Sequence, residues 1–217
     1  MGRYQHVIWD WNGTLLDDVA LCLDIMNRML DARGMRRIEP VRYRQIFDFP
    51  VELYYRQLGF DFDVEPFDRL ATLYCEQYDA RIVECSLQNH ARRILEGLSE
   101  RGVTQAILSS QEQTALDDAL RYFRIDQHFE VIVGRTDRHA TGKIDTGRAL
   151  LERLDADPSQ TLLIGDTVHD FEVAAALGTD CILVSHGHHS HDRLKAVHHD
   201  VVPSLRPLAQ RPELLAA

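Results

Sequence analysis

The stretch TLLIGDTVHDFEVAAALG, residues 161–178, decides the fold. Thr161 to Ile164 is a short apolar run of strand type, and Gly165-Asp166-Thr167 breaks it. From His169 to Leu177 apolar residues recur at helical spacing until Gly178, a residue suited to the left-handed position that ends a helix. Working outward, Val103–Leu108, Phe129–Val133 and Cys181–Val184 read as further strands, with Gln111–Phe123 and Asp145–Leu154 as helices between them. Strands alternating with helices predict an α/β fold whose parallel sheet is covered on both faces. Val7-Ile8-Trp9 is one more strand, too isolated to fold alone, so it must join the same sheet.

Between that first strand and the rest lies Asp17 to Arg81. Its apolar residues at spacings of three and four (Leu21, Ile25, Met29 and Leu30; Leu53 and Leu58; Leu70 and Leu73) predict a helical insertion. No internal repeat is visible. At 217 residues, 45% hydrophobic and 27% charged, the chain is of ordinary globular composition,. Its 24 basic residues against 34 acidic ones give a net charge of −10, the wrong balance for gripping nucleic acid,. No apolar run approaches a membrane span, and the N-terminus shows neither a signal peptide nor a myristoylation pattern. Cys22, Cys75, Cys85 and Cys181 form no CxxC pair and read as reduced thiols. A cytoplasmic protein, monomer or homodimer, with no nucleic-acid or membrane partner is expected.

Ligands of an open parallel sheet bind at the carboxyl ends of the strands. There stand Asp10-Trp11-Asn12-Gly13-Thr14, then Ser109 and Ser110, then Lys143 in a loop, then Gly165-Asp166-Thr167-Val168-His169-Asp170. A carboxylate can attack phosphorus, an acidic pair suits Mg²⁺, and Lys and Ser/Thr donors neutralise a transferring phosphoryl group. Each feature alone is explained as readily by a turn, a helix cap or a solvated loop. Their joint occurrence at four strand or loop ends is not.

VIWDWNGTLLDD, ILSS, the lysine of TGKID and LIGDTVHDFEVA resemble, in order, the four motifs of the haloacid dehalogenase-like hydrolases, with the phosphoglycolate phosphatase-like branch closest in character. The resemblance spans nearly the whole chain. It implies a Rossmann-like core of residues 1–16 and 82–217, with a small α-helical cap, residues 17–81, inserted after the first strand. It implies Asp10 as nucleophile, Thr14, Ser109, Ser110 and Lys143 as phosphate-site residues, and Gly13 shaping the turn. Mg²⁺ would be held by Asp10, the Asn12 carbonyl and Asp166, with Asp170 assisting directly or through water. The substrate would be a small phosphorylated metabolite, such as a phosphoglycolate-like compound.

Position 12 breaks the pattern. Family phosphatases carry there an aspartate that serves as general acid and base, work typically worth about 10² to 10⁴ in rate; an amide cannot do it. Dehalogenation is disfavoured by the intact acidic motif, and phosphonatase chemistry by the lack of a cap lysine, since the chain's two lysines are Lys143 and Lys195. Three readings of Asn12 stay open: substrates whose leaving group needs little protonation, a borrowed donor such as His169 or a substrate group, or a long-lived phospho-Asp10. A catalytically weak phosphate-binding or regulatory protein is the alternative to an enzyme. Asn12-Gly13 is also a deamidation-prone pair. His186 to His199 holds six of the eleven histidines; a solvated loop and helix face is expected there, with a transition-metal site the other reading. Arg42, Arg44 and Arg56 in the insertion are expected to be solvated, with binding of a substrate anion the other reading.

Overall fold

His6–Trp9 forms β1, and Val7, Ile8 and Trp9 are all 0% exposed, as the middle of a parallel sheet demands,. The computed structural model describes residues 3–136, 142–211 and Leu214; the remaining residues of the expected core lie outside these. After β1 come β2 (Leu16–Asp17) and four helices, α1 (Val19–Asp31), α2 (Pro40–Ile46), α3 (Val51–Leu58) and α4 (Phe67–Arg81). β3 (Ser86–Leu87) then pairs antiparallel with β2, so the two strands flanking the helical insertion are tied to each other. The chain continues as α5 (Ala91–Glu100), β4 (Thr104–Glu112), α6 (Gln113–Tyr122), β5 (Val131–Arg135) and α7 (Lys143–Arg153). It closes with β6 (Thr161–Gly165), α8 (Val168–Leu177), β7 (Asp180–Val184), α9 (His191–Lys195) and β8 (Val201–Val202).

The main sheet has the order β5-β4-β1-β6-β7-β8 and every pairing in it is parallel. Strand order reverses at β1, which lies between β4 and β6. The ends of these three strands therefore meet at the switch point where such sheets bind ligands. Side chains alternate across the sheet. Val7 and Trp9 join the core shared with α1, α5 and α6, while Ile8 packs on the opposite face with Leu150 and Leu151 of α7 and Val173 of α8.

Several elements depart from the periodicity reading. Lys143 is the first residue of α7, not a loop residue, and β5 begins two residues later than Phe129. β4 runs on through Ser109 and Ser110 to Glu112, with a register irregularity after Leu108. α5 was not foreseen, although Ala91, Ile94, Leu95 and Leu98 give it a buried stripe at helical spacing,. In the insertion Leu70 is buried and Leu58 packs on the core as expected, but Leu53 is 51% and Leu73 37% exposed, and Tyr54, Tyr55 and Tyr78 supply the rest of the buried faces of α3 and α4. Tyr54 packs edge-on against Tyr43 and Phe47, and Tyr78 buries its ring while its hydroxyl donates to Asp18,.

Candidate active site

Asp10 follows β1, Asp166 follows β6, Asp170 lies in the first turn of α8 and Lys143 opens α7. The fold brings them together. Lys143 Nζ lies 2.6 Å from Asp10 Oδ1 and 2.7 Å from Asp170 Oδ1. Thr14 Oγ1 is shared between Asp10 Oδ2 at 3.3 Å and Asp166 Oδ1 at 2.9 Å. The second oxygen of Asp170 accepts from Thr167 Oγ1 and from the backbone N–H groups of Thr167 and Asp166. With Thr167 as N-cap this is a capping box, so Asp170 starts the helix and anchors the lysine at once,.

The charges do not balance among themselves. Burial pushes Asp10 up to about 6, only partly offset by Lys143, and pushes Asp166 up to about 8 despite nearby His188,. Burial would also raise Asp170, but Lys143 and the Thr167 bonds outweigh it and hold that carboxyl low. Lys143 is buried yet held above its usual range by Asp10 and Asp170. Asp10, Asp166 and Asp170 each offer a carboxylate oxygen, all within 4.8 Å of one another. Three hard oxygen donors with a deficit of positive charge fit a divalent cation of the Mg²⁺ kind. Backbone crowds in to hold Asp166. A Cβ on Gly187 would stand 2.1 Å from its Oδ2, and one on Gly13, whose φ is +73°, would stand 2.4 Å away,.

Asn12 faces this cluster from a different set of partners. Its Nδ2 donates to Asp18 Oδ2 at 3.0 Å and to the Tyr78 hydroxyl at 2.6 Å, with Gln111 Oε1 at 3.5 Å. Tyr78 in turn donates to Asp18 Oδ2, so its hydroxyl oxygen is what accepts from Asn12. Rotating the amide would set Oδ1 against the Asp18 carboxylate. Oδ1 is thereby turned toward Ser109, whose Oγ lies 3.5 Å away,. The Gly13 N–H donates to Asp18 Oδ1 at 2.9 Å. Deamidation needs that nitrogen to attack the Asn12 side chain, and both partners are tied down by the same carboxylate.

Asp18 is the residue sequence reading missed. It is 0% exposed and receives, besides those bonds, His188 Nε2 at 3.2 Å. Burial would raise its carboxyl, but His188 and the hydrogen bonds from Tyr78 and Asn12 hold it low, and His188 is raised to about 9. The His188 Nδ1 meets the Tyr43 hydroxyl at 2.8 Å and its backbone N–H donates to Asp166 Oδ2 at 2.6 Å. The solvated loop expected for this stretch therefore does not hold for His188, 4% exposed, or His189, 0% exposed. His189 Nδ1 accepts from the Val168 N–H, and burial lowers it to about 4. Arg44 is likewise not solvated: its guanidinium donates to the carbonyls of His186 and Gly187, clasping α2 to this loop. Arg42 is exposed, and Arg56 lies over the Phe62 ring.

Ser109 is buried and its Oγ accepts from the Gln111 N–H. Ser110 is exposed, and its carbonyl accepts from Arg135 Nε. His169 pairs Nδ1 with Glu172 and lays its ring against Phe49 of the loop after α2, so it makes no hydrogen bond to Asp10, Asn12 or Ser109. The four cysteines are free, Cys75 exposed. No helix among the described residues is long and apolar enough to cross a membrane.

Residues 7–184 match the family model described as haloacid dehalogenase-like hydrolase. The tyrosine-protein kinase PtkA of Mycobacterium tuberculosis is 31% identical over 186 residues, 85% of this chain and 63% of PtkA; the chain thus spans under two thirds of that relative's length. The phosphoglycolate phosphatase of Nitrosospira multiformis is 26% identical over 210 residues, 93% of this chain and 92% of that enzyme. A haloacid dehalogenase-like hydrolase from Streptococcus pneumoniae superposes with a TM-score of 0.81 at 21% identity, covering 96% of this chain and 98% of its own, a likeness of fold.

Proposed function

The chain belongs to the haloacid dehalogenase-like hydrolase family, and within it we propose a Mg²⁺-dependent phosphohydrolase that acts on a small phosphorylated metabolite through an aspartyl-phosphate at Asp10. One observation carries this reading: Lys143 spans Asp10 and Asp170 at 2.6 and 2.7 Å beside the raised carboxyl of Asp166. That is a nucleophile, a cation to meet phosphoryl oxygens and an acidic pair to hold a metal, in contact.

In the first half-reaction an Asp10 oxygen attacks phosphorus and the bond to the leaving oxygen breaks, the electron pair departing with that oxygen. Lys143 Nζ and Ser109 Oγ would hold the equatorial oxygens, and Thr14 would fix the Asp10 carboxylate. Asp10, Asp166 and the Asn12 carbonyl would hold Mg²⁺, with Asp170 assisting directly or through water,. Bound there, Mg²⁺ would supply positive charge to the phosphoryl group. In the second half, water attacks phosphorus, the bond to Asp10 breaks and the carboxylate returns.

A second reading, a phosphate-binding protein with negligible turnover, is favoured by the commitment of both Asn12 N–H bonds to Asp18 and Tyr78. The separating experiment is phosphate release from 4-nitrophenyl phosphate and a panel of phosphorylated metabolites, with Mg²⁺ or chelator, for the native protein and Asp10→Asn. Mg²⁺-dependent turnover lost in Asp10→Asn is expected. Turnover that survives in Asp10→Asn overturns the proposed chemistry, and none from any native assay favours the binding protein.

A further inference from the structure

The network around Asn12 ranks the chemistry that sequence reading left open. Each Asn12 N–H has an acceptor, Asp18 and Tyr78, so neither is left for a departing oxygen. What the side chain presents toward Ser109 is a carbonyl oxygen, an acceptor only,. The neighbouring groups that could substitute are also committed. Lys143 lies between Asp10 and Asp170, Tyr78 donates to Asp18, and both ring nitrogens of His188 are engaged, by Asp18 and Tyr43. His169 points its Nδ1 at Glu172 and stacks on Phe49. The acids around Asn12, Lys143, Tyr78 and His188, are thus already committed, and the Gln111 Nε2 beside it, which has no partner among the described residues, is an amide and cannot give up a proton,.

We propose that the site is selective for phosphoryl compounds whose leaving group departs as a stable anion, namely aryl phosphates, acyl phosphates and phosphoanhydrides, over simple alkyl phosphates. The inference rests on the phosphohydrolase reading and names its substrate class. Asp10 takes the phosphoryl group, the leaving oxygen keeps the bonding pair and leaves unprotonated, and only weakly basic anions do so readily. An alkoxide needs the proton that a positioned acid would give, at a rate cost of about 10² to 10⁴ when the acid is missing. The same carbonyl oxygen can orient the water of the second half-reaction but cannot take its proton, which passes to phosphate oxygen or solvent.

The test is kcat/KM, which reports the phosphorylation of Asp10, for 2,4-dinitrophenyl, 4-nitrophenyl and unsubstituted phenyl phosphate, acetyl phosphate and ethyl phosphate with Mg²⁺. In the native protein a steady fall with leaving-group basicity is expected, ethyl phosphate lying at least about 10²-fold below 4-nitrophenyl phosphate. Asn12→Asp paired with Asp18→Asn, so that two carboxylates do not face each other at 3.0 Å, should flatten the series by raising ethyl phosphate. Equal native kcat/KM across the series overturns the inference and leaves the phosphohydrolase reading standing. So does a folded double variant whose series stays as steep. No Mg²⁺-dependent turnover of even acetyl phosphate overturns the parent reading instead. If the double variant does not fold, the native series alone decides.

Discussion

Replacing Asp18 by alanine removes a buried carboxylate on which the site's frame converges. Asp18 accepts from Asn12, the Gly13 N–H, Tyr78 and His188, and is itself 0% exposed. Removing one member of a buried ion pair leaves the other charge unpaired, at a cost of roughly 3–5 kcal/mol. The His188 shift gives a second route to the magnitude. Burial works against its charge, Asp18 is the largest favourable influence, and the net rise from 6.5 to about 9 corresponds to roughly 3 kcal/mol,. For a chain of this size each kcal/mol moves Tm by about 2–4 °C, so Asp18→Ala should melt about 6–20 °C below the native protein. The pH dependence has a definite sign. The His188 contribution is complete below pH 6.5 and lost as pH rises through about 9; that of Asp18 is present above pH 3.8 and lost as pH falls through its lower folded value. The gap between native protein and variant should therefore be widest between about pH 4 and 6.5 and narrow above pH 9. Urea unfolding at pH 5.5 and 9.5 checks both statements. A loss below about 1 kcal/mol at pH 5.5, the scale of a surface pair, would refute the reasoning.

Asp10 and Asp166 are raised, so in metal-free protein their share of stability is present at acidic pH and lost as pH rises through about 6 and about 8,. The Tm increase on adding Mg²⁺ should accordingly be larger at pH 8.5 than at pH 5, and an equal increase would contradict the placement of the cation among these carboxylates. Lys143→Gln should lower kcat by about 10² to 10³, as removal of a donor aimed at developing charge does, read in the 4-nitrophenyl phosphate assay. Gly187→Ala places a Cβ 2.1 Å from Asp166 Oδ2; Mg²⁺ affinity measured by calorimetry should fall at least about tenfold, because a displaced metal ligand costs at least as much as a displaced supporting group. Peptide mapping of aged protein should find asparagine retained at position 12 while folded, with deamidation appearing only after denaturation, because Asp18 restrains both reacting partners.

Local pattern carried the architecture. Apolar runs of three or four residues at 7–9, 161–164 and 181–184, separated by helical periodicity, were enough to predict a parallel sheet and to put Asp10 and Asp166 at strand ends,. Strand period and turn chemistry are short-range, so they survive in one dimension. The capping box of Thr167 and Asp170, formed in the fold, explains why that acid is fixed before any ligand arrives,.

The tertiary structure alone decided what Asn12 is. Its partners come from Asp18 six residues on, Tyr78 in α4 and Ser109 in β4, while His188 approaches Asp18 from a loop 170 residues away. Nothing in the spacing of those residues signals contact, since side-chain hydrogen bonds across a fold have no period. Burial was equally invisible for the histidine-rich stretch: its polarity suggested solvent, and the clasp of Tyr43 and Arg44 sealed His188 beneath α2. The order of residues thus set which chemical groups reach the switch point. Packing of the helical insertion against it set which of those groups still have a proton to give.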